Sequence, residues 1–235
     1  MAKKNKEISL SNLIKVKPIT EGQKSVFETW KQGKNQFLFG CAGTGKTFIS
    51  LYLAMQDVLD LKTKYDKVIL VRSLIPTREI GFLPGDEEDK AALYQVPYQN
   101  MVKFMFEQPN EQAFNMLYDR LKNQGSLYFL STSFLRGLTF DNSIIIVDEC
   151  QNLNFHELDT ITTRVGQDSK IVFCGDFSQT DLLKQNERNG LHDFLRILME
   201  MQEFNCVEFN IGDIVRSGFV RNYLIQKTKL GMGME

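Results

Sequence analysis

The chain has 235 residues, 43% hydrophobic and 24% charged, a composition typical of a folded protein with one large domain or two small ones. Its 28 Lys and Arg residues nearly balance its 29 Asp and Glu residues, which excludes a global basic field and requires any polyanion to bind a local basic groove. No run of eighteen apolar residues and no signal-peptide pattern occurs, so we expect a cytoplasmic protein.

Strand-like and helix-like segments alternate along most of the chain. A Lys-rich, polar stretch over residues 1–18 predicts a flexible arm. After it, the patterns predict helices over 19–35, 46–60, 154–165, 188–202 and 214–227, and strands over 36–39, 67–72, 126–131, 143–148, 170–174 and 205–209. Several strands are almost continuously apolar, which is typical of parallel strands that are covered on both faces. The sequence therefore predicts a single α/β domain over residues 19–230, with an elaborated insertion at about 75–125.

The four cysteines are not arranged as a metal or disulfide framework. Cys41, Cys150, Cys174 and Cys206 include no CxxC pair, and neither histidine stands near them. This pattern favours buried, reduced thiols over disulfides or a zinc site.

A phosphate-loop motif follows the first predicted strand. Glycines at 40, 43 and 45 precede Lys46 and Thr47 and match GxxxxGK[ST] between an apolar strand and an apolar helix. The backbone N–H groups of such a loop cradle phosphates, the lysine reaches the β and γ phosphates, and the threonine hydroxyl binds Mg²⁺. An ordinary glycine turn is the alternative, and the strand and helix around the motif argue against it. The predicted nucleotide-binding residues are Gly40, Cys41, Ala42, Gly43, Thr44, Gly45, Lys46 and Thr47.

Two further strands end in residues that suit hydrolysis of a nucleoside triphosphate. The run SIIIVDE delivers Asp148 as a Mg²⁺-binding carboxylate and Glu149 as the general base that activates water. The run KIVFCGDFSQ places Gln179 where its amide can sense the γ-phosphate, although a polar turn is an alternative. Gln23, upstream of the loop, has an amide that can recognise adenine, unless it is simply an exposed helix residue.

Six motifs of this chain, taken in order, resemble those of the PhoH-like proteins. They are ITEGQKSVF, GCAGTGKT, VRSLIPTREIGFLPGD, IIIVDECQN, IVFCGDFSQTD and DIVRSGFVRNYL. The resemblance covers about residues 19–228. It implies a RecA-like P-loop ATPase related to the first motor domain of superfamily 1 helicases, with ATP and Mg²⁺ as ligands and RNA or other nucleic acid as the proposed partner. It also implies that Arg216 neutralises charge on the transferred phosphate.

A helicase with two motor domains completes its ATP site with an arginine from the second domain, and this chain is too short for a second one. Arg216 must therefore act within its own subunit or reach into a neighbouring one. We favour the second option, which predicts a homo-oligomer that is most simply a ring of six. An arginine of a surface helix in an ordinary ion pair is the alternative.

The sequence leaves the use of the ATP energy open. A nucleic-acid-stimulated ATPase would grip backbone phosphates through Arg72, Arg78 and Arg136 and stack a base on Phe82. The acidic run at 86–89 is an alternative partner for these arginines. A nucleotide-switched assembly or regulatory protein is a second hypothesis. A metabolite kinase ranks last, because the Asp-Glu pair is suited to activating water.

Overall fold

A computed structural model describes residues 6–72, 87–132, 135, 137–176 and 190–230, without the side chains of 87–93 and 228. The strands are β1 (Asn35–Gly40), β2 (Lys67–Arg72), β3 (Leu127–Ser131), β4 (Ser143–Val147), β5 (Lys170–Gly175) and β6 (Phe204–Phe209). The helices are α1 (Glu21–Trp30), α2 (Lys46–Leu59), α3 (Glu87–Phe106), α4 (Glu111–Asn123), α5 (Phe155–Thr162), α6 (Leu191–Glu200) and α7 (Gly218–Lys229).

The described strands form one six-stranded sheet in the order β3-β2-β4-β5-β1-β6, and every pairing is parallel. Parallel neighbours need long crossover connections, which the intervening helices supply. β5 lies between β1 and β4, so the carboxyl ends of these three strands meet at one edge of the sheet. The predicted α/β class, with a parallel sheet and helices on both faces, is confirmed.

The sheet separates two apolar layers. Alternate strand residues such as Leu38, Leu70 and Ile146 face the layer of α1–α4. Their neighbours, such as Phe37 and Ile145, face the layer of α5 and α6. Because both faces of the central strands are buried, both sets of positions must be apolar, which explains the continuous apolar runs in the sequence.

Local signals define several helix ends. Asn154 and Glu157 form the capping box at the start of α5, each side chain bonding to the other residue's backbone N–H. α1 begins after Thr20, whose side chain accepts a hydrogen bond from the Gln23 N–H. It ends at Trp30, earlier than predicted, and Gly33 follows with a φ of +74°.

Residues 6–18 of the predicted arm pack against the helical layer. Ile8 and Leu13 are buried in its core. The Ile14 N–H donates to the Met105 carbonyl oxygen at 2.9 Å, and the Tyr52 hydroxyl donates to the Ile14 carbonyl oxygen at 3.0 Å. The apolar residues between the lysines anchor this segment to α2 and α3.

The predicted insertion contributes α3 and α4 between β2 and β3. Tyr98, Val102 and Met105 of α3 are buried in the same layer as α2. Residues 73–86, including the GFLPGD motif, lie outside the described residues. Within the described part of the chain, no helix has both the length and the apolarity needed to cross a membrane.

Candidate nucleotide-binding site

The turn between β1 and α2 has the backbone of a phosphate loop. At Gly40, φ is +117° and an added Cβ would lie 2.1 Å from the Phe209 carbonyl oxygen, so β6 approaches too closely for a side chain. Gly45 has a φ of +86° and directly precedes α2, whose first residue is Lys46. The first N–H groups of a helix have no partner within it, so the start of α2 offers an anion-binding site.

Lys46 folds back over this loop. Its Nζ donates to the carbonyl oxygens of Cys41 at 2.7 Å and of Gly40 at 3.2 Å. It also lies 2.7 Å from Oδ1 of Asp176, the residue that follows β5. The buried ammonium is thus surrounded by oxygen acceptors at the start of α2, where a phosphate oxygen would bind it in the same way.

Asp148, directly after β4, accepts a hydrogen bond on each carboxylate oxygen. Thr47 Oγ1 donates to Oδ1 at 2.6 Å, and the Tyr98 hydroxyl of α3 donates to Oδ2 at 2.7 Å. Hydroxyl and carboxylate oxygens are ligands that Mg²⁺ prefers, so Thr47 and Asp148 fit this ion. No three His, Cys, Asp or Glu side chains of the described residues cluster to hold a metal by themselves. Phosphate oxygens would therefore supply further ligands.

Glu149 is positioned by an unusual backbone and by Gln151. Its φ is +52°, a left-handed conformation that turns the chain sharply after β4. Gln151 Nε2 donates to Glu149 Oε2 at 2.6 Å, and Gln151 Oε1 accepts from the Asp176 N–H at 3.1 Å. Burial raises the pKa of Glu149, and Asp148 and Asp176 raise it further, whereas the Gln151 bond and Arg72 lower it. A raised pKa makes this carboxylate a stronger base.

Arg72, at the end of β2, lies beside the same carboxylates. Burial lowers the pKa of this arginine, but the nearby Tyr98, Glu149 and Asp148 outweigh burial and leave it raised. Its guanidinium also lies 5.9 Å from the centre of the Tyr94 ring. The nucleic-acid contact expected of Arg72 stays a prediction, and the structure shows its side chain in the nucleotide site.

Gln23 connects α1 to the phosphate loop. Its Oε1 accepts from the Ile19 N–H at 3.0 Å, and its Nε2 donates to the Thr44 carbonyl oxygen at 3.1 Å. The side chain is buried, unlike the exposed helix residue that was the alternative. Each amide atom retains a second hydrogen-bonding position, so adenine recognition stays a prediction.

Asp213 fixes the segment after β6. Its Oδ1 accepts from the Gly22 N–H and its Oδ2 from the Asn210 N–H, both at 2.8 Å. An added Cβ at Gly22 would lie 3.1 Å from the Asp213 carboxyl carbon, so α1 and this segment approach closely. The residues up to Arg216 are thereby held beside α1 and the phosphate loop.

Arg216 packs on the phosphate loop of its own chain. The Val215 N–H donates to the Gly43 carbonyl oxygen at 3.0 Å. A Cβ built on Gly43 would lie 2.9 Å from Arg216 Cγ and 3.4 Å from its Nε. The side chain thus reaches the site of its own subunit, which favours the first of the two options, and action on a neighbouring subunit stays a prediction.

Most of these groups, including Lys46, Asp148 and Glu149, line one cavity of about 910 Å³. Its polar side is formed by the phosphate loop, the carboxylates, Arg72 and Arg216. Its apolar side includes Phe48 of α2 and Met101 and Phe104 of α3. A cavity of this volume is in the range of ligand sites, and the apolar wall is suited to the base and ribose of a nucleotide.

Four predicted residues, Arg78, Phe82, Arg136 and Gln179, lie outside the described residues. The predicted burial is correct for Cys150 and for Cys174, whose Sγ lies 3.4 Å from the Ser50 hydroxyl. It is wrong for Cys206, which is exposed on the edge strand β6, and only partly correct for Cys41, which is half-buried in the loop.

Three residues of the site were not assigned from the sequence. Asp176 ends an apolar strand just as Asp148 does, and that signal was sufficient to find it. Gln151 follows the carboxylate pair in DECQN, but its two partners depend on the turn after β4. Tyr98 lies 50 residues from Asp148, and no local pattern connects them.

A parallel α/β sheet with a phosphate loop after β1 and a carboxylate pair after β4 defines a P-loop nucleotide-binding protein. The chain belongs to the PhoH-like protein family, whose pattern matches residues 15–226.

Relatives of this family are clearly similar in sequence. Protein PhoH2 of Bacillus subtilis (strain 168) is 36% identical over 145 residues, 61% of this chain and 32% of the relative. Protein PhoH of Escherichia coli (strain K12) is 32% identical over 190 residues, 80% of this chain and 51% of the relative. The PhoH-like protein of Bacillus subtilis is 30% identical over 202 residues, 86% of this chain and 60% of the relative. The chain spans between about a third and 60% of the length of these relatives.

Solved structures resemble the chain only distantly. A structure of Pif1 helicases in DNA unwinding at forked dsDNA is 17% identical with a TM-score of 0.35, covering 83% of this chain and 44% of that one. The ATPase domain of G40P is 11% identical with a TM-score of 0.32, covering 66% of this chain and 61% of that one. At these scores the likeness adds nothing about activity.

Proposed function

We propose that this chain binds ATP with Mg²⁺ and hydrolyses it, and that hydrolysis is coupled to binding of RNA or other single-stranded nucleic acid. The observation that supports hydrolysis is the meeting of Lys46, Asp148 and Glu149 in one cavity. A phosphate-binding cation, a hard metal ligand and a carboxylate base are the groups that such a reaction needs.

Each residue has a separate role in this proposal. Lys46 and the start of α2 hold the β and γ phosphates, and Thr47 and Asp148 hold Mg²⁺, which neutralises phosphate charge. Glu149 orients a water molecule and accepts its proton as the water attacks the γ-phosphorus. The bond from this phosphorus to the β–γ bridging oxygen breaks, and ADP leaves. Arg216 stabilises charge on the transferred phosphoryl group from its own subunit. Gln179 is proposed as the γ-phosphate sensor.

Phosphate release and nucleotide binding, measured on the same variants, test the hydrolysis proposal. Lys46→Ala should abolish both, because the loop loses its cation. Glu149→Gln should retain Mg-ATP binding within a few-fold and lose about 100-fold or more in turnover, because a general base contributes roughly 10²–10⁴-fold. Glu200→Gln, an exposed change on α6, is the matched control. Undiminished turnover in Glu149→Gln would contradict the assignment of the base.

The nucleic-acid part rests on the family resemblance and on the position of Arg72. Arg72 ends β2, leads into the insertion and lies beside Asp148 and Glu149. A polyanion bound near the insertion would therefore change the field at both carboxylates. ATP turnover should rise with single-stranded RNA or DNA at low salt and lose this stimulation as salt is raised. Turnover that neither nucleic acid changes at low salt would contradict the coupling.

Exposed apolar residues on α7 favour a second function, nucleotide-dependent self-assembly. Phe219 is 84% exposed and Tyr223 is 60% exposed, one helical turn apart. Leu224 of the same helix lies beside the phosphate loop, where its Cδ1 would be 3.1 Å from a Cβ added to Gly43. A second copy of this chain would cover these rings and lie close to the nucleotide, as in the expected ring of six. Sizing with and without Mg-ATP tests this. A double Phe219→Ser and Tyr223→Ser variant should stay monomeric, and an unchanged oligomer would contradict this interface.

A further inference from the structure

The insertion helix α3 reaches directly into the metal-binding part of the nucleotide site. Tyr98 lies on α3 and is 2% exposed, and its hydroxyl lies 2.7 Å from Asp148 Oδ2. The other carboxylate oxygen, Oδ1, is bonded to Thr47 at 2.6 Å. The two hydroxyl groups therefore fix the orientation of the carboxylate from opposite sides.

A buried tyrosine is often only a core residue whose hydroxyl has found some hydrogen-bond partner. Tyr98 differs from that case in the identity of its partner. Its partner is the carboxylate of a proposed metal ligand, and the positive charge of Arg72 acts on the same hydroxyl. A chain of hydrogen bonds thus connects Tyr98 through Asp148 to Thr47. Hydrogen bonds to charged groups are the stronger ones in proteins, so this chain restricts Asp148 more than packing alone would.

We propose that Tyr98 is a positioning residue for the metal-binding carboxylate, so that the placement of α3 sets the affinity for Mg²⁺-nucleotide. This inference rests on the proposed function. Thr47 Oγ1 and Asp148 must keep a fixed separation to share one ion, and Tyr98 holds the oxygen of Asp148 that Thr47 does not contact. Outer-shell partners of metal ligands commonly change metal affinity by about 10–100-fold when they are lost.

The discriminating change is Tyr98→Phe, which removes the hydroxyl and keeps the ring. Tyr118→Phe is the matched control, because Tyr118 is a buried tyrosine of α4 that does not line the cavity. Affinity for a fluorescent ATP analogue is measured for both variants and the wild type, once in EDTA and once in excess Mg²⁺. Thermal unfolding of each variant shows that it is folded.

Tyr98→Phe should leave the affinity in EDTA within two-fold or so and reduce the gain from Mg²⁺ by about ten-fold or more. Tyr118→Phe should leave both unchanged. A Mg²⁺ gain in Tyr98→Phe equal to that of the wild type would overturn the proposal, as would equal losses in both variants or equal losses with and without Mg²⁺. Absence of nucleotide binding by the wild type would instead refute the proposed function.

Discussion

Lys170 allows a direct test of how a buried charge affects the stability of this fold, because its ammonium group is buried far from the nucleotide site. It begins β5, at the opposite end of the strand from Asp176, and is 2% exposed. Its Nζ donates to the Trp30 carbonyl oxygen at 3.3 Å and lies 4.1 Å from the centre of the Trp30 ring. Burial lowers the pKa of Lys170 from 10.5 to about 8, and Asp57 opposes this effect.

The lowered pKa of Lys170 gives both the sign and the size of its effect on the free energy of unfolding. Below pH 8 the folded state holds a buried charge, and from pH 8 to 10.5 it sheds that proton before the unfolded chain does, so stability rises with pH in this window. At about 1.36 kcal/mol per pH unit, this fall in pKa corresponds to about 3 kcal/mol. Lys170→Met removes the charge and loses the Trp30 contacts, worth about 1–2 kcal/mol. It should therefore be about 1–2 kcal/mol more stable than the wild type at pH 7.

Urea unfolding at a series of pH values between 7 and 10 measures the difference in the free energy of unfolding between variant and wild type. The difference should shrink as the pH rises above 8 and reverse in sign at about pH 9–9.5, because the folded wild type gains about 1.36 kcal/mol per pH unit as its lysine becomes neutral. Lys62→Met, at an exposed lysine, should give a profile parallel to that of the wild type. A Lys170→Met difference that stays constant from pH 7 to 10 would refute this reasoning.

Three further predictions concern the site. Asp213→Asn replaces one carboxylate acceptor by an amide donor that faces a backbone N–H. Urea unfolding should therefore show a loss of about 1–3 kcal/mol in the free energy of unfolding. An unchanged midpoint would contradict the anchoring role of Asp213. Gln151→Leu removes a hydrogen bond that lowers the pKa of Glu149, so the acid limb of the pH profile of kcat should move to higher pH, and an unmoved limb would argue against Glu149 as the base. Arg216→Ala should lose turnover, and mixing it with Lys46→Ala should restore none; recovered turnover would show that Arg216 serves a neighbouring subunit.

Most of the sheet was predictable, because each strand is indicated by the residues of its own apolar run. The strand over 67–72 has the predicted bounds, and the other strands differ by a residue or so at either end. A continuous apolar run of this length can be accommodated only by a strand covered on both faces. The Asn154 capping box could also be read directly, since its two partners are three residues apart.

The insertion and the segments near the chain ends were less predictable. The sequence predicted an insertion at about 75–125 but carried no indication that Tyr98, within it, contacts Asp148. The polar, Lys-rich start predicted a loose arm, whereas Ile8 and Leu13 are buried. A few apolar residues among lysines give no periodic signal, and only the surface that they cover shows their role.

The sequence by itself determined the main motifs of the site and the fold class. These are a phosphate loop at 40–47, the Asp148 and Glu149 pair, and the alternation of strands and helices that requires a parallel sheet. These features depend on residues adjacent in the chain, so their geometry follows from short-range sterics and hydrogen bonding. The tertiary structure alone decided which side chains share the cavity. The strand order places β5 between β1 and β4, Asp213 holds Arg216 against Gly43 of its own chain, and α3 brings Tyr98 to the carboxylate. Such contacts join residues 50 to 191 positions apart and are fixed by packing of the whole domain, which no local pattern encodes.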